Sequence, residues 1–286
     1  MQSSLEDTKF ILKKYNISAN KKLGQNFLID DDIIQNIIDA AELKETDLVI
    51  EIGPGLGTLT SKLLEKAGKV IAIELDEKML KVLNDRFSLY NNFILINNDV
   101  LKVDLNKIIE ENLEQLKSVK IVANLPYYIT TPIIMKLLES KLKIETITVM
   151  VQKEVADRIT ATPGDKLSGA ITYSVDYYAK AEEVVFVSKS CFMPSPEVDS
   201  AVIKLEIRKE PKVNVLNEEM FFKVIKTSFM QRRKTLINGL MNSGIIKDRE
   251  KLNAILKEAN IDSNIRGEKL TIEQFANLSN LIYETI

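Results

Sequence analysis

Short runs of Ile, Val and Leu alternate with stretches of helical spacing over the first two thirds of the chain. Leu48–Ile52, Lys69–Glu74, Phe93–Asn97, Val119–Ala123 and Thr146–Val151 are too short for helices and rich in β-branched residues, so they are predicted as buried strands. Thr58–Ala67, Glu77–Ser88, Leu105–Leu116 and Pro132–Lys141 carry the helical period, with Thr131 as the expected N-cap and Pro132 as the first helical residue. This alternation predicts a parallel sheet covered on both faces. Thr172–Tyr178, Glu183–Ser188 and Ala201–Ile207 read as further strands with little helix between them, an antiparallel addition at one sheet edge. Beyond Arg208–Val213 only helical stretches follow: Glu218–Met230, Arg233–Ser243, Arg249–Asn260 and Thr271–Tyr283. A boundary there divides the chain into an α/β domain, residues 1–210, and a small all-helical domain, residues 211–286.

Composition narrows the chemistry. The 286 residues include no histidine and a single cysteine, Cys191. An intramolecular disulfide is therefore impossible, and histidine-based acid–base catalysis, Ser-His or Cys-His nucleophile pairs and nearly all zinc sites are excluded. No metal is expected, and no P-loop signature is present. Cys191, beside an aromatic, reads as packing rather than as a methyl carrier. Methyl transfer from a sulfonium fits these limits, because its donor arrives already activated. No apolar run approaches the roughly 20 residues that span a bilayer. Met1–Phe10 carries Glu6 and Asp7 and does not read as a signal peptide, so a cytoplasmic location is expected.

The net charge of −2 is unevenly spread. Met220–Lys247 contains Lys223, Lys226, Arg232, Arg233, Lys234 and Lys247 with no acid, and Lys13, Lys14, Lys21 and Lys22 cluster near the N-terminus. Local basic faces on a near-neutral protein suit a folded polyanion; each alone also reads as a solvated lysine-rich surface.

Glu51-Ile-Gly-Pro-Gly-Leu-Gly-Thr58 follows the first strand and opens the first helix. Gly53, Gly55 and Gly57 permit a tight turn and close backbone approach to a ligand. Their spacing differs from the dinucleotide fingerprint, and Pro54 removes a backbone N–H, which lowers the case for NAD. Glu74 ends the second strand, 21 residues after Gly53, where a carboxylate can accept ribose hydroxyls. Asp76 competes for that role, but Glu74 lies closer to the strand end. Asp99, after the third strand, is a candidate acceptor for the amine of a cofactor adenine.

Asn124-Leu125-Pro126-Tyr127 follows the fourth strand directly. The exocyclic amine of adenine is a poor nucleophile, its lone pair being delocalised into the ring. Two acceptors on its hydrogens, the Asn124 side-chain oxygen and the Leu125 carbonyl, can draw the nitrogen towards tetrahedral geometry and aim its lone pair at a methyl group. Pro126 fixes the turn, and Tyr127 offers a face on which an extruded base stacks. The plain alternative is a turn with two buried tyrosines.

These residues resemble, in order, motifs of the small-subunit ribosomal RNA adenine N6,N6-dimethyltransferases, the enzymes linked to kasugamycin sensitivity. The resemblance covers nearly the whole chain. Lys22–Leu28, Glu51–Thr60, Glu74–Asp76, Asn98–Asp104, Asn124–Tyr128, Phe192–Ala201 and Phe229–Leu236 each look like a family motif. It implies a Rossmann-like seven-stranded sheet with an antiparallel edge hairpin. It implies that Asn26, Leu28, Gly53, Glu74, Asp99 and Asn124 contact S-adenosyl-L-methionine, which leaves as S-adenosylhomocysteine; Gly55 belongs to the same loop. It further implies that Phe192 stacks on the target base opposite Tyr127. The implied substrate is a pair of adjacent adenines in the 3′-terminal hairpin loop of 16S rRNA, dimethylated within an assembling small subunit by a monomeric enzyme that also serves ribosome biogenesis. Arg232, Arg233 and Lys234, with Lys21 and Lys22, are candidate RNA contacts, although Arg232-Arg233-Lys234 reads equally well as a domain-interface seal. The rival readings are a large-subunit enzyme of the macrolide-resistance type, a DNA adenine methyltransferase, an assembly factor whose methylation is secondary, and an NAD-binding module.

Overall fold

The computed structural model describes residues 3–20, 23–113, 116–230 and 234–286. Chain order runs α1 (Ser4–Lys14), β1 (Phe27–Leu28), α2 (Asp31–Ala41), β2 (Asp47–Ile52), α3 (Thr58–Lys66), β3 (Lys69–Glu74), α4 (Glu77–Phe87), β4 (Phe93–Asn97), α5 (Leu105–Asn112) and β5 (Ser118–Asn124). It continues with α6 (Thr130–Glu139), β6 (Thr146–Gln152), α7 (Lys153–Thr160), α8 (Ala170–Tyr178), β7 (Ala179–Val187), β8 (Phe192–Met193) and β9 (Ser200–Ile207). Four helices close the chain: α9 (Glu218–Met230), α10 (Leu236–Ser243), α11 (Arg249–Glu258) and α12 (Ile272–Thr285).

Seven strands form one sheet in the order β4-β3-β2-β5-β6-β9-β7. From β4 to β6 every neighbouring pair is parallel, and β9 then runs antiparallel to β6, Val149 opposite Ile203. The expected antiparallel edge addition is thus present. The chain works outward from β2 through β3 to β4 and then returns to the other side of β2 at β5, so the topology reverses between β2 and β5. In an open α/β sheet, that reversal opens a crevice at the carboxyl ends of the strands.

Two compact units emerge: residues 1–156 with 182–207, and residues 157–181 with 208–286. In the first, Val49, Val70, Val122 and Met150 pack beneath Ile37 of α2, Leu63 of α3 and Val82 and Leu83 of α4, all buried. In the second, Phe221, Leu240, Leu256 and Phe275 from the four terminal helices share a core with Tyr173 and Tyr177 of α8. The helical unit therefore takes up Asp157–Ala181, which a single cut at 210/211 leaves with the sheet.

Thr172–Tyr178, predicted as a strand, is helical. Its β-branched and aromatic composition mimics a strand, but the buried pair Tyr173 and Tyr177 are four residues apart and fall on one helix face; packing overrides local preference. Helix α6 begins at Thr130, ahead of the expected Thr131–Pro132 start, with Ile129 as N-cap and no side-chain cap. Pro132 is still tolerated, because N–H groups in the first turn have no intrahelical acceptor to lose. Helix α1, which the sequence did not predict, opens with a Ser3–Glu6 capping box.

Among the described residues no helix is long and apolar enough to cross a membrane. Nor, among those residues, is any group of three or more His, Cys, Asp or Glu placed to hold a metal ion.

Candidate active site

A cleft of about 1090 Å3 opens at the carboxyl ends of β2, β3 and β5 in the sheet unit. Its lining includes Asn26, Leu28, Gly53, Gly55, Glu74, Asp99, Asn124, Leu125, Pro126 and Tyr127. Of the residues proposed for the cofactor or for chemistry, only Phe192 lies outside that lining.

The floor is the glycine loop. Gly53, Gly55 and Gly57 all hold positive φ, at 66°, 58° and 82°. At Gly57 an added Cβ would sit 2.4 Å from the Phe87 ring, so a side chain is excluded by both conformation and space. The Gly55 N–H donates to Glu74 Oε2 at 3.2 Å, while the N–H groups of Leu75 and Asp76 both donate to Glu74 Oε1 at 2.8 Å. Glu74 is 8% exposed, and burial lifts its pKa above the ordinary value against the pull of these three donors. A carboxylate has about four acceptor positions, so one remains open beside these three donors.

Asp76, the competitor, is already engaged. It caps α4 by accepting from the Lys78 N–H at 2.9 Å, and it accepts from Gln25 Nε2 at 2.7 Å. Gln25 thereby ties the segment ahead of β1 to the cleft rim. Asp99 accepts from the Leu101 N–H through Oδ1.

The Asn124 amide is oriented by its neighbour: Nδ2 donates to the Asn26 carbonyl at 3.3 Å. A carbonyl can only accept, so the amide nitrogen faces it and Oδ1 is turned away. Among the described residues neither Asn124 Oδ1 nor the Leu125 carbonyl receives a donor. The Leu125 N–H donates to the Met150 carbonyl, which fixes the turn against β6. Tyr127 is half-buried, its hydroxyl 2.6 Å from Ser200 Oγ, and burial raises its pKa. Tyr128 stands at the mouth, 54% exposed.

Phe192 takes a different position. It is 3% exposed, pairs through β8 with Leu28 of β1, and packs in the core beneath the sheet. Burial of a large apolar ring against Leu28 accounts for this placement. Lys234 is exposed. Lys21, Lys22, Arg232 and Arg233 lie outside the described residues. Cys191 packs against the core, and its thiol donates to Asp30.

Sequence reasoning passed over Glu51. It is 1% exposed, lines the cleft and accepts from the Thr60 hydroxyl at 2.6 Å; burial, only partly offset by that bond, pushes its pKa up to about 8. Its signal was an acid inside an otherwise apolar strand, where both faces are covered.

A glycine-floored cleft at the reversal of a parallel sheet, with a buried acid at the next strand end and, among the described residues, two undonated oxygens at the fourth, gives an α/β fold with a candidate group-transfer site. Residues 16–284 match the model of the ribosomal RNA adenine dimethylase family, and the chain belongs to that family. It is an enzyme that dimethylates adenine in ribosomal RNA. The chain is 52% identical over 283 residues to the ribosomal RNA small subunit methyltransferase A of Bacillus pumilus (strain SAFR-032), covering 98% of this chain and 96% of that one. It is 47% identical to the protein of the same name from Alkaliphilus oremlandii (strain OhILAs), covering 97% and 96%. A crystal structure of a dimethyladenosine transferase from Plasmodium falciparum superposes with TM-score 0.72 at 28% identity, covering 87% of this chain and 94% of that one. The 23S rRNA methyltransferase ErmE superposes at 0.67 with the same identity, covering 90% and 100%.

Proposed function

We propose that the chain transfers methyl groups from S-adenosylmethionine to N6 of two adjacent adenines in the 3′-terminal hairpin loop of 16S rRNA, acting in the cytoplasm as a monomer on the small subunit or its precursor. One observation carries the chemistry: among the described residues, Asn124 Oδ1 and the Leu125 carbonyl lie in one cleft without donors, next to a glycine loop and the Glu74 carboxylate. Two adjacent acceptors suit an NH2 group, which brings two hydrogens. The small-subunit assignment draws its support from relatives named for that subunit, aligned over nearly their full length.

The residues fit the cofactor. Gly53 and Gly55 keep Cβ atoms off the floor, Glu74 would offer its remaining acceptor position to a ribose hydroxyl, and the Asp99 carboxylate would accept from an adenine amine. When bound, S-adenosylmethionine supplies a methyl group made electrophilic by its sulfonium. Asn26 and Asn124, joined by their hydrogen bond, form one side of the cleft and would help to hold the cofactor there.

Asn124 and Leu125 hold the target amine by both hydrogens, localising its lone pair and directing it along the transfer axis. This alignment lowers the barrier without a titrating base. The proton released as the nitrogen becomes methylated passes to solvent; the chain has no histidine to take it. Tyr127 stacks on the extruded base, a contact worth about 1–3 kcal/mol, and its hydroxyl bond to Ser200 keeps the ring in place. A second wall from Phe192 requires the ring to leave its core position. Phe192→Leu preserves apolar volume while removing the aromatic face; unchanged methylation would restrict Phe192 to a packing part.

The direct test is incubation with labelled S-adenosylmethionine and small subunits lacking the modification, followed by nucleotide mapping. Label on two neighbouring adenines is expected; label on large-subunit RNA alone would overturn the small-subunit reading.

A further inference from the structure

A second cleft, of about 520 Å3, lies wholly in the helical unit and is lined by Thr160, Thr162, Asp176, Lys180, Arg208 and Lys212. We propose that this cleft binds the phosphodiester backbone of RNA at a position away from the methylated base. The proposal rests on the rRNA reading above and adds to it a contact surface that the active site does not include.

Charge is the first ground. Three cations line the cleft against one carboxylate. Arg208 Nη2 lies 3.6 Å from Asp176 Oδ1 and Lys212 Nζ 2.8 Å from Oδ2, so one acid is shared by two bases. Lys180 is exposed and makes no ion pair among the described residues. Glu273 also faces Lys212 electrostatically, which leaves Lys180 as the cation of the lining without a paired acid among the described residues, and an unmatched positive charge in a concavity attracts anions.

Rigidity is the second ground. The Arg208 N–H donates to the Tyr178 carbonyl at 2.8 Å, the Lys212 N–H to the Tyr177 carbonyl at 3.0 Å, and Arg208 Nε to the Asp176 carbonyl at 3.3 Å. Both cations are thus fastened to the end of α8, and Tyr177 is itself buried in the helical core. Cations held in place lose little freedom when an anion arrives. Across the cleft, Thr160 and Thr162 carry hydroxyls, neutral donors of the kind that contact phosphate oxygens.

A purely structural account explains Arg208 and Lys212, which offset the Asp176 charge at a helix C-terminus. It does not explain Lys180. That difference decides the test. The full chain and its Lys180→Glu and Lys212→Gln variants would be bound to unmodified small subunits across a KCl series, with thermal melts run alongside. Lys180→Glu is expected to weaken binding several-fold, to lower the salt slope by about 1 and to leave the melting temperature unchanged. Lys212→Gln is expected to act in the same direction. Unchanged affinity and slope for Lys180→Glu, with wild-type methylation intact, would overturn the cleft assignment alone. Wild type that neither binds nor methylates the particles would overturn the rRNA reading and the cleft with it. Inorganic phosphate is the remaining arm: if at matched ionic strength it stabilises the wild type over chloride but not Lys180→Glu, while the RNA salt slope is unaltered, the cleft takes a free phosphate and the RNA assignment falls.

Discussion

At Asn124 the two ends of the side chain differ: Nδ2 is spent on the Asn26 carbonyl, while Oδ1 receives no donor among the described residues and is open to the acceptor role proposed above. Asn124→Ala removes one of two aligned acceptors, and methyl transfer should fall on the order of 10²–10³-fold, as for loss of one preorganised polar group elsewhere. Single-turnover methylation checks this, with particle binding retained. Glu51 gives a pH prediction. Its folded pKa of about 8 lies well above the 4.5 of an ordinary glutamate, so the folded protein binds the extra proton between those values. Stability contributed by this site therefore falls as pH rises through that window and levels off above it. Glu51→Gln should flatten the decline, seen as a weaker dependence of Tm on pH between about 4.5 and 8; an identical pH profile would exclude Glu51 as its source. Much of this scale was legible beforehand. As cleft residues, Gly53, Glu74, Asp99 and Asn124 were readable because each lies at or just past the end of a predicted strand, and strand ends in such a sheet face one crevice. Phe192 was not, because a ring beside a proline-rich loop has the same sequence appearance whether it lines a cleft or fills a core.

At the scale of elements, α2 is terminated by a buried cation. Lys120 on β5 is 3% exposed and reaches the Ala41 and Glu42 carbonyls at 3.3 and 2.7 Å, and Asp47 Oδ2 at 3.1 Å. The lysine thus closes the helix end and neutralises a buried acid whose carboxyl, pushed up by burial, is held below its usual value by Ser118, the Lys44 N–H and Lys120. Lys120→Met strands that carboxylate and should cost about 3–5 kcal/mol in denaturant melts; Lys120→Met with Asp47→Asn should recover part of the loss. Strands β2 to β6 were predictable to within a residue or two, because apolar runs bounded by turns leave little choice. Helix α8 was not: Ile171-Thr172-Tyr173-Ser174-Val175 has strand composition, and the helical period appears only once the aromatic core that buries Tyr173 and Tyr177 is known.

For the whole molecule, the helical unit draws on a segment far upstream in sequence. Tyr173 accepts from the Gly164 N–H at 3.0 Å and donates to the Leu270 carbonyl at 2.6 Å, joining the early piece to the late one. Tyr173→Phe leaves both groups without that partner and should destabilise the protein by about 1–3 kcal/mol, measured by denaturant titration. A fragment starting at residue 211 lacks the two tyrosines packed near Phe221 and Phe275 and should melt without a cooperative transition. A sharp melt for that fragment would show that α8 is dispensable to the fold.

The interleaving of the two units bears on biosynthesis. Strand β6 leaves the ribosome with one edge bare, and its partner β9 follows only after the stretch owed to the helical unit, which itself waits for α9 to α12. At about 5–20 residues per second, translation holds open an apolar strand edge for several seconds. A nascent chain arrested before residue 200 should therefore be protease-sensitive and engaged by chaperones, whereas one arrested with β9 fully outside the exit tunnel should have closed its sheet while the helices are still being made.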